Sequence, residues 1–137
     1  MRTTGRQPCV ITVASRQRAQ FIDITGQIRA LLREQPALAD GPAITVFVPH
    51  TTAGITINEN ADPDVMADVN NALEKIAPWR AGYRHAEGNS AAHIKAILTG
   101  ASARIPLENG RLALGTWQGI YFCEFDGPRQ RQVLISG

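Results

Sequence analysis

The period of the apolar residues switches four times along this chain, and that alternation of strand and helix spacing limits the fold more than any other feature of the sequence. Residues 9–14 (CVITVA) alternate, with Val10, Thr12 and Ala14 on one face and Ile11 and Val13 on the other, as a half-buried strand does. Residues 20–24 form a second strand, expected to pair with the first. From Thr25 the period lengthens. Ile28, Leu31 and Leu32 fall at i, i+3 and i+4 behind Thr25 as cap, and the helix stops before Pro36. Residues 43–49 return to alternation, with Ile44, Val46 and Val48 sharing a face, so that His50 opens a turn at the strand's tip.

A strand at 55–58 leads into an acidic and amide-rich exit at 59–62. Asp62 as N-cap, Pro63 at the first helical position and Asp64 in the first turn then mark a helix start. Val65, Val69, Leu73 and Ile76 keep helical spacing until Pro78. After an irregular stretch at 79–88, Asn89 or Ser90 caps a further helix, whose Ile94, Ile97 and Leu98 are expected to face the core before Gly100 ends it. Runs at 103–107, 112–114, 119–126 and 132–136 read as strands again, with Asn109-Gly110 as a hairpin turn. Strands at both ends with helices between them predict one α+β domain over residues 1–137, its helices packed on a mixed, largely antiparallel sheet.

A chain of 137 residues can bury a core without disulfide or metal staples. With 44% hydrophobic and 19% charged residues it is neither a disordered segment nor a coiled coil. No apolar run approaches the ~18 residues of a membrane-spanning helix. The N-terminal stretch 1–20 lacks a convincing leader cleavage site, so a cytoplasmic protein with no membrane partner is expected. The net charge of +2 comes from basic residues that are dispersed except for Arg129 and Arg131. With no basic tract, a nucleic-acid partner is not expected, and a small anionic molecule fits better. Cys9 and Cys123 both fall in strands and read as buried free thiols.

His50, His85 and His93 are the only histidines, each among small, polar or acidic residues: PHTTAG, YRHAEG and GNSAAHIK. Imidazole is the commonest metal ligand and titrates near neutrality, so these turns suggest a metal or proton-transfer centre. Their separations of 35 and 8 residues match no local metal signature. The residues alone therefore leave a shared site and three unrelated histidines both open. His93 falls in the first turn of its helix, where N–H groups without helical partners favour an anion.

The segments HTTAGITINENADPDV (50–65), YRHAEGNSAAHIKAILTG (83–100) and IPLENGRLALGTWQGIYFCEFDGPRQR (105–131) together resemble the YjbQ family, also called UPF0047, over nearly the whole chain. The resemblance implies a compact α+β subunit in a homotrimer, and a divalent-metal pocket formed by His50, His85 and His93. It also implies secondary thiamine-phosphate synthase activity, which joins an aminopyrimidine-methyl diphosphate to a thiazole phosphate and releases pyrophosphate. One departure is the short connector between His85 and His93, where many relatives carry a longer acidic stretch; Glu87 is the only acid left in that loop.

Other residues join the candidate site. Glu59 lacks a strong structural explanation and is the favoured functional acid, whereas Asp62 can serve either the histidines or the helix cap. Asn58 and Asn60 can bond substrate or satisfy backbone groups. Asn89 and Ser90 can present a helix N-terminus to phosphate, with Lys95 adding charge unless it lies on a solvated face. In GTWQG, Trp117 can stack on a heteroaromatic ring, and the resemblance places Gln118 in the pocket. Arg129 and Arg131 can clamp a phosphate, cross a subunit boundary or form a surface pair.

Three imidazoles suit Zn²⁺ or another transition metal better than Mg²⁺, which prefers oxygen ligands. That donor set keeps a second enzyme open, a metal-dependent hydrolase of a small phosphorylated or heterocyclic substrate. A trimeric metal- or metabolite-binding protein without turnover is the non-enzymatic alternative.

Overall fold

A computed structural model describes residues 7–137; the first six, part of the stretch weighed as a leader, lie outside the described residues. The fold is a single α+β domain in which every strand pair is antiparallel. Two sheets replace the one mixed sheet expected. The larger has the order β1 (Cys9–Ala14), β8 (Gln130–Ser136), β3 (Ala43–Phe47), β5 (Ser102–Glu108), β6 (Arg111–Leu112). The smaller is β2 (Gln20–Asp23), β7 (Gln118–Glu124), β4 (Ala53–Glu59). Helix α1 (Thr25–Glu34) and a 3-10 turn (Pro36–Ala39) follow β2, α2 (Pro63–Ile76) follows β4, and α3 (Ser90–Thr99) precedes β5. Among the described residues, no helix is long and apolar enough to cross a membrane.

The expected β1–β2 hairpin does not form. β1 pairs with β8, Ile11 opposite Val133, and β2 with β7, Ile22 opposite Phe122. The cause lies in the connector. Ser15 is buried, its hydroxyl donating to the Glu124 carboxylate at 2.7 Å and its N–H to the Arg129 carbonyl at 2.9 Å. The chain is therefore anchored in the interior where it passes from one sheet to the other, and it cannot fold back on itself.

The main core draws on both sheets and α1, with Ile11, Val13, Ile44, Val46, Ile105, Val133 and Ile135 meeting Ile28, Ile55, Ile120 and Phe122. A second cluster of Ala92, Cys123 and Phe125, with Phe21, Leu73 and Trp79 against it, lies with α2 and α3 on the other face of the smaller sheet. β7 is thus buried on both faces, which explains its unbroken apolar run IYFC. Burial pushes the Cys123 thiol far above its usual range, and both cysteines are free. Cys9 is only partly buried.

Two helix readings need correction. Thr25 is the first helical residue rather than the cap. The Asp23 carboxylate accepts from its N–H at 2.9 Å and its hydroxyl at 2.6 Å, and the Thr25 hydroxyl accepts from the Ile120 N–H. In α3 the expected apolar face points outward: Ile97 is 80% exposed, and Ile94 and Leu98 are exposed too. Ala91, Ala92 and Lys95 are buried instead. Small alanines let the helix approach the smaller sheet closely. Gly54 on β4 completes that approach, since a Cβ there would lie 2.7 Å from the Gly100 carbonyl. Lys95 is therefore not on a solvated face. It is fully buried and donates to Glu74 of α2, which also accepts from Arg18 at 3.1 Å. Burial alone would raise the Glu74 pKa, but the two cations hold it below the usual carboxylate range.

Candidate functional site

The three histidines line one recess of about 400 Å³. His50 comes from the turn between β3 and β4, delivered by the alternating strand that buries Ile44, Val46 and Val48. His85 comes from the loop before α3, in a turn closed by the Gly88 N–H donating to the His85 carbonyl, with Gly88 at φ 74°. His93 lies in the first turn of α3. The rings of His85 and His93 meet edge to face, with centroids 5.5 Å apart. Glu87 is 4.0 Å from the His85 Nε2.

Arg131 and Glu124 form the interior of the site. Glu124 is fully buried and Arg131 is 3% exposed. The guanidinium Nε donates to both carboxylate oxygens, at 2.9 and 3.1 Å, and Nη2 donates to Glu124 and to the Thr52 hydroxyl at 2.8 Å. The N–H groups of Phe125 and Asp126 also donate to the carboxylate, each at 3.1 Å. Burial alone would raise the Glu124 pKa, but the bonds from Arg131, Ser15 and Asp126 bring it below the usual range. Arg131 is thus not a surface residue, whereas Arg129 is exposed and bonds the Asp126 carbonyl at 2.9 Å.

This network fixes the geometry around His50, because it ties Thr52 to β8. His50 itself accepts the Gln132 N–H on its Nε2 at 2.9 Å. That bond assigns the neutral tautomer with its proton on Nδ1. Burial, and then the Arg131 charge, lower the His50 pKa. With Nε2 accepting and Nδ1 protonated, neither ring nitrogen has a free lone pair for a metal in this arrangement. Among the described residues, no three His, Cys, Asp or Glu side chains are gathered to hold one ion.

Asn89 precedes α3 but makes no side-chain cap. It donates to Asp126 at 3.0 Å, and its buried Oδ1 has no partner among the described residues. Ser90 starts the helix beside it. A second recess of about 350 Å³ adjoins the first, sharing His50, Thr51 and His93, but is walled by Ala53, Ala96, Ile97 and Ala101. A polar and an apolar compartment thus meet at two imidazoles.

The remaining candidates gather elsewhere. Glu59 lies six residues along β4 from Ala53, about 20 Å at strand rise, and pairs opposite Gln118 of β7. Asp62 caps α2 by accepting the Asp64 N–H at 2.9 Å. Asn58 accepts the Glu59 N–H, and Asn60 bonds Asp23 at 3.3 Å. Gln118 accepts the Gly115 N–H at 2.8 Å, and Trp117 is exposed. Tyr121 donates to the Glu59 carbonyl at 2.9 Å; burial, then the Asp23 and Glu59 charges, raise its pKa. Within one chain, none of Asn58, Glu59, Asn60, Asp62, Trp117 and Gln118 lines the histidine recess.

Sequence reasoning missed Ser15, Thr52, Glu124 and Asp126. Only Glu124 carried a signal, as a lone charge inside the apolar run YFCEF.

The model of the family described as UPF0047 protein YjbQ-like matches residues 10–137. The chain is 52% identical over 127 residues to the UPF0047 protein YugU of Bacillus subtilis, covering 92% of this chain and 95% of that protein. It is 48% identical over 124 residues to the UPF0047 protein MJ1081 of Methanocaldococcus jannaschii, covering 90% and 88%. Its structure resembles a YjbQ/UPF0047-family protein of Clostridium acetobutylicum, with a TM-score of 0.88, 52% identity and coverage of 93% and 98%. The protein APE1520 of Aeropyrum pernix gives a TM-score of 0.87 at 35% identity, covering 95% and 96%.

Proposed function

The chain belongs to the UPF0047/YjbQ family, and from that premise we propose that its histidine recess binds a small phosphorylated substrate and carries out thiamine-phosphate-synthase-type transfer. The observation that supports this most is the meeting of His50, His85 and His93 with Arg129, Arg131 and the start of α3 in one recess. Exposed Arg129 and the α3 N-terminus attract phosphate there, while Arg131 is committed to Glu124 and Glu87 and Asp126 also line the recess.

In the reaction, the methylene C–O bond of the aminopyrimidine-methyl diphosphate breaks, and pyrophosphate leaves with the electron pair. The thiazole nitrogen then gives its lone pair to that carbon, forming the C–N bond. No proton moves to the enzyme and no covalent intermediate forms. Arg129 and the α3 N-terminus hold the phosphates in place. The Nδ1–H of His50 is a donor for charge developing on the leaving oxygen. The adjoining apolar recess takes a heterocycle away from water.

By donor type, His85 and His93 suit Zn²⁺ or another divalent transition metal better than Mg²⁺. When bound, such an ion supplies charge neutralisation at the departing pyrophosphate. A homotrimer belongs to the same reading. The outward face of Ile94, Ile97 and Leu98 offers a surface to a second copy. Assembly is also the route by which Glu59, Asp62 and Gln118 of one copy would reach the recess of another.

Hydrolysis of a phosphorylated substrate is the second reading, favoured by His85, whose side chain is 44% exposed and open to water. The test is incubation with both heterocyclic substrates and, separately, with each alone. Thiamine phosphate with equimolar pyrophosphate supports the synthase. Inorganic phosphate from one substrate alone supports the hydrolase. Saturable binding without any product leaves a metabolite-binding protein and refutes both enzymatic readings.

A further inference from the structure

A separate recess of about 560 Å³ opens between α1 and the β5–β6 hairpin, away from the histidines. Three arginines line it, Arg29, Arg33 and Arg111, above Leu32 and Leu112. Their placement follows from local structure. Arg29 and Arg33 are four residues apart on α1 and so share one face of the helix. Arg111 is turned toward them by Asn109 and Gly110, whose φ values of 53° and 75° are those of a tight hairpin turn. Leu32 is buried in the core and Leu112 packs against it, so the floor is fixed.

None of the three arginines makes a side-chain hydrogen bond or ion pair among the described residues. Arg18, Arg129 and Arg131 each have a carboxylate partner. Glu108 stands opposite Arg111 in the strand register, yet the two form no ion pair. Arg33 lies in the last turn of α1, where the helix dipole favours a cation, but this accounts for neither Arg29 nor Arg111. Among the described residues Arg80 and Arg84 also make no side-chain hydrogen bond or ion pair; what distinguishes these three is that they surround one concavity. Like charges held around a shared recess repel one another, and an anion between them removes that repulsion.

We propose that this recess is a second binding site, for a phosphorylated small molecule whose phosphate groups bridge Arg29, Arg33 and Arg111 while its body rests on Leu32 and Leu112. Guanidinium forks match phosphate oxygens in pairs. The volume is in the range of small-molecule sites, roughly 300–1,000 Å³, and exceeds what one free phosphate fills.

The test is an amide NMR titration of the full chain with inorganic pyrophosphate, at an ionic strength matched with chloride. Saturating shifts are expected at residues 29–33 and 108–112. The R29Q/R33Q variant should weaken them at least tenfold, and R111Q should weaken them as well, while H50A leaves them unchanged. All three arginines are exposed, so an unchanged spectrum of each variant without pyrophosphate confirms its fold. Shifts confined to the histidine recess, shifts that never saturate, or equal affinity in R29Q/R33Q overturn the proposal.

Discussion

Replacing Arg131 with methionine removes the cation that lets Glu124 remain ionised in the interior. Glu124 is fully buried and Arg131 is 3% exposed, so solvent can do little to replace the lost partner. Breaking a buried pair from one side costs about 3–5 kcal/mol. The lower end applies here, because the Ser15 hydroxyl and the N–H groups of Phe125 and Asp126 still donate to the carboxylate. For a chain of this size each kcal/mol lowers Tm by roughly 3–4 °C, so Tm should fall by roughly 10 °C or more.

The pH dependence has a definite sign. In the native protein the Glu124 pKa is lowered, so its contribution is present above the ordinary value of 4.5 and is lost as pH falls through the lowered one. In Arg131→Met, burial acts without its main opposing cation and raises the Glu124 pKa. The penalty should then be full at pH 8 and shrink toward pH 5, as the carboxyl takes up a proton. Urea unfolding followed by circular dichroism, at fixed protein concentration and at both pH values, measures this. Arg131→Met/Glu124→Leu should recover most of the loss, since no buried charge is then left unpaired. A single-variant loss below about 1 kcal/mol, equal at both pH values, would refute the account of this network.

Gly54→Ala places a Cβ 2.7 Å from the Gly100 carbonyl, a backbone atom that cannot rotate aside; a loss of about 1–3 kcal/mol is expected from overpacking, and the same melts measure it. His50 has a lowered pKa, so its folded form resists protonation. Stability should hold above the ordinary value of 6.5 and decline as pH falls through it, because the unfolded chain takes up the proton first. Tm between pH 5 and 8 should show this slope, reduced in His50→Gln; an unaltered slope would remove His50 as its source. Ile97→Asp, at a position 80% exposed, should leave the monomer folded but dissociate a trimer in analytical ultracentrifugation. An intact trimer would show that this face of α3 is not the contact.

The local elements were legible because their signals are local. Asp62, Pro63 and Asp64 start α2 where capping chemistry puts it, and Asn109-Gly110 makes the turn it encodes. Alternation in β3 correctly placed Ile44, Val46 and Val48 inside and left His50 at the exit. The failures came where spacing had to choose between partners or faces. In α3, Ile94, Ile97 and Leu98 form a better apolar stripe than Ala91, Ala92 and Lys95, so spacing chose the wrong face. The helix turned the other way because alanine permits close approach to β4 at Gly54, and Glu74 of α2, 21 residues earlier in the chain, supplies the negative charge that pairs buried Lys95.

The candidate site divides along the same line. The chain's sequence determined the family, which the comparisons bear out, and which residues are candidates for chemistry: three histidines in polar turns, one of them in the first turn of a helix. It also determined an α+β domain through the periods of its apolar residues. Only the tertiary structure decided that Arg131 would be buried on Glu124, that Ser15 and Thr52 would join them, and that Glu59 and Gln118 would lie at the other end of β4 from His50. The physical reason is range. Capping, turns and alternation act over a few residues, whereas the Ser15–Glu124 bond joins positions 109 residues apart, and its partners exist only once the two sheets have come together.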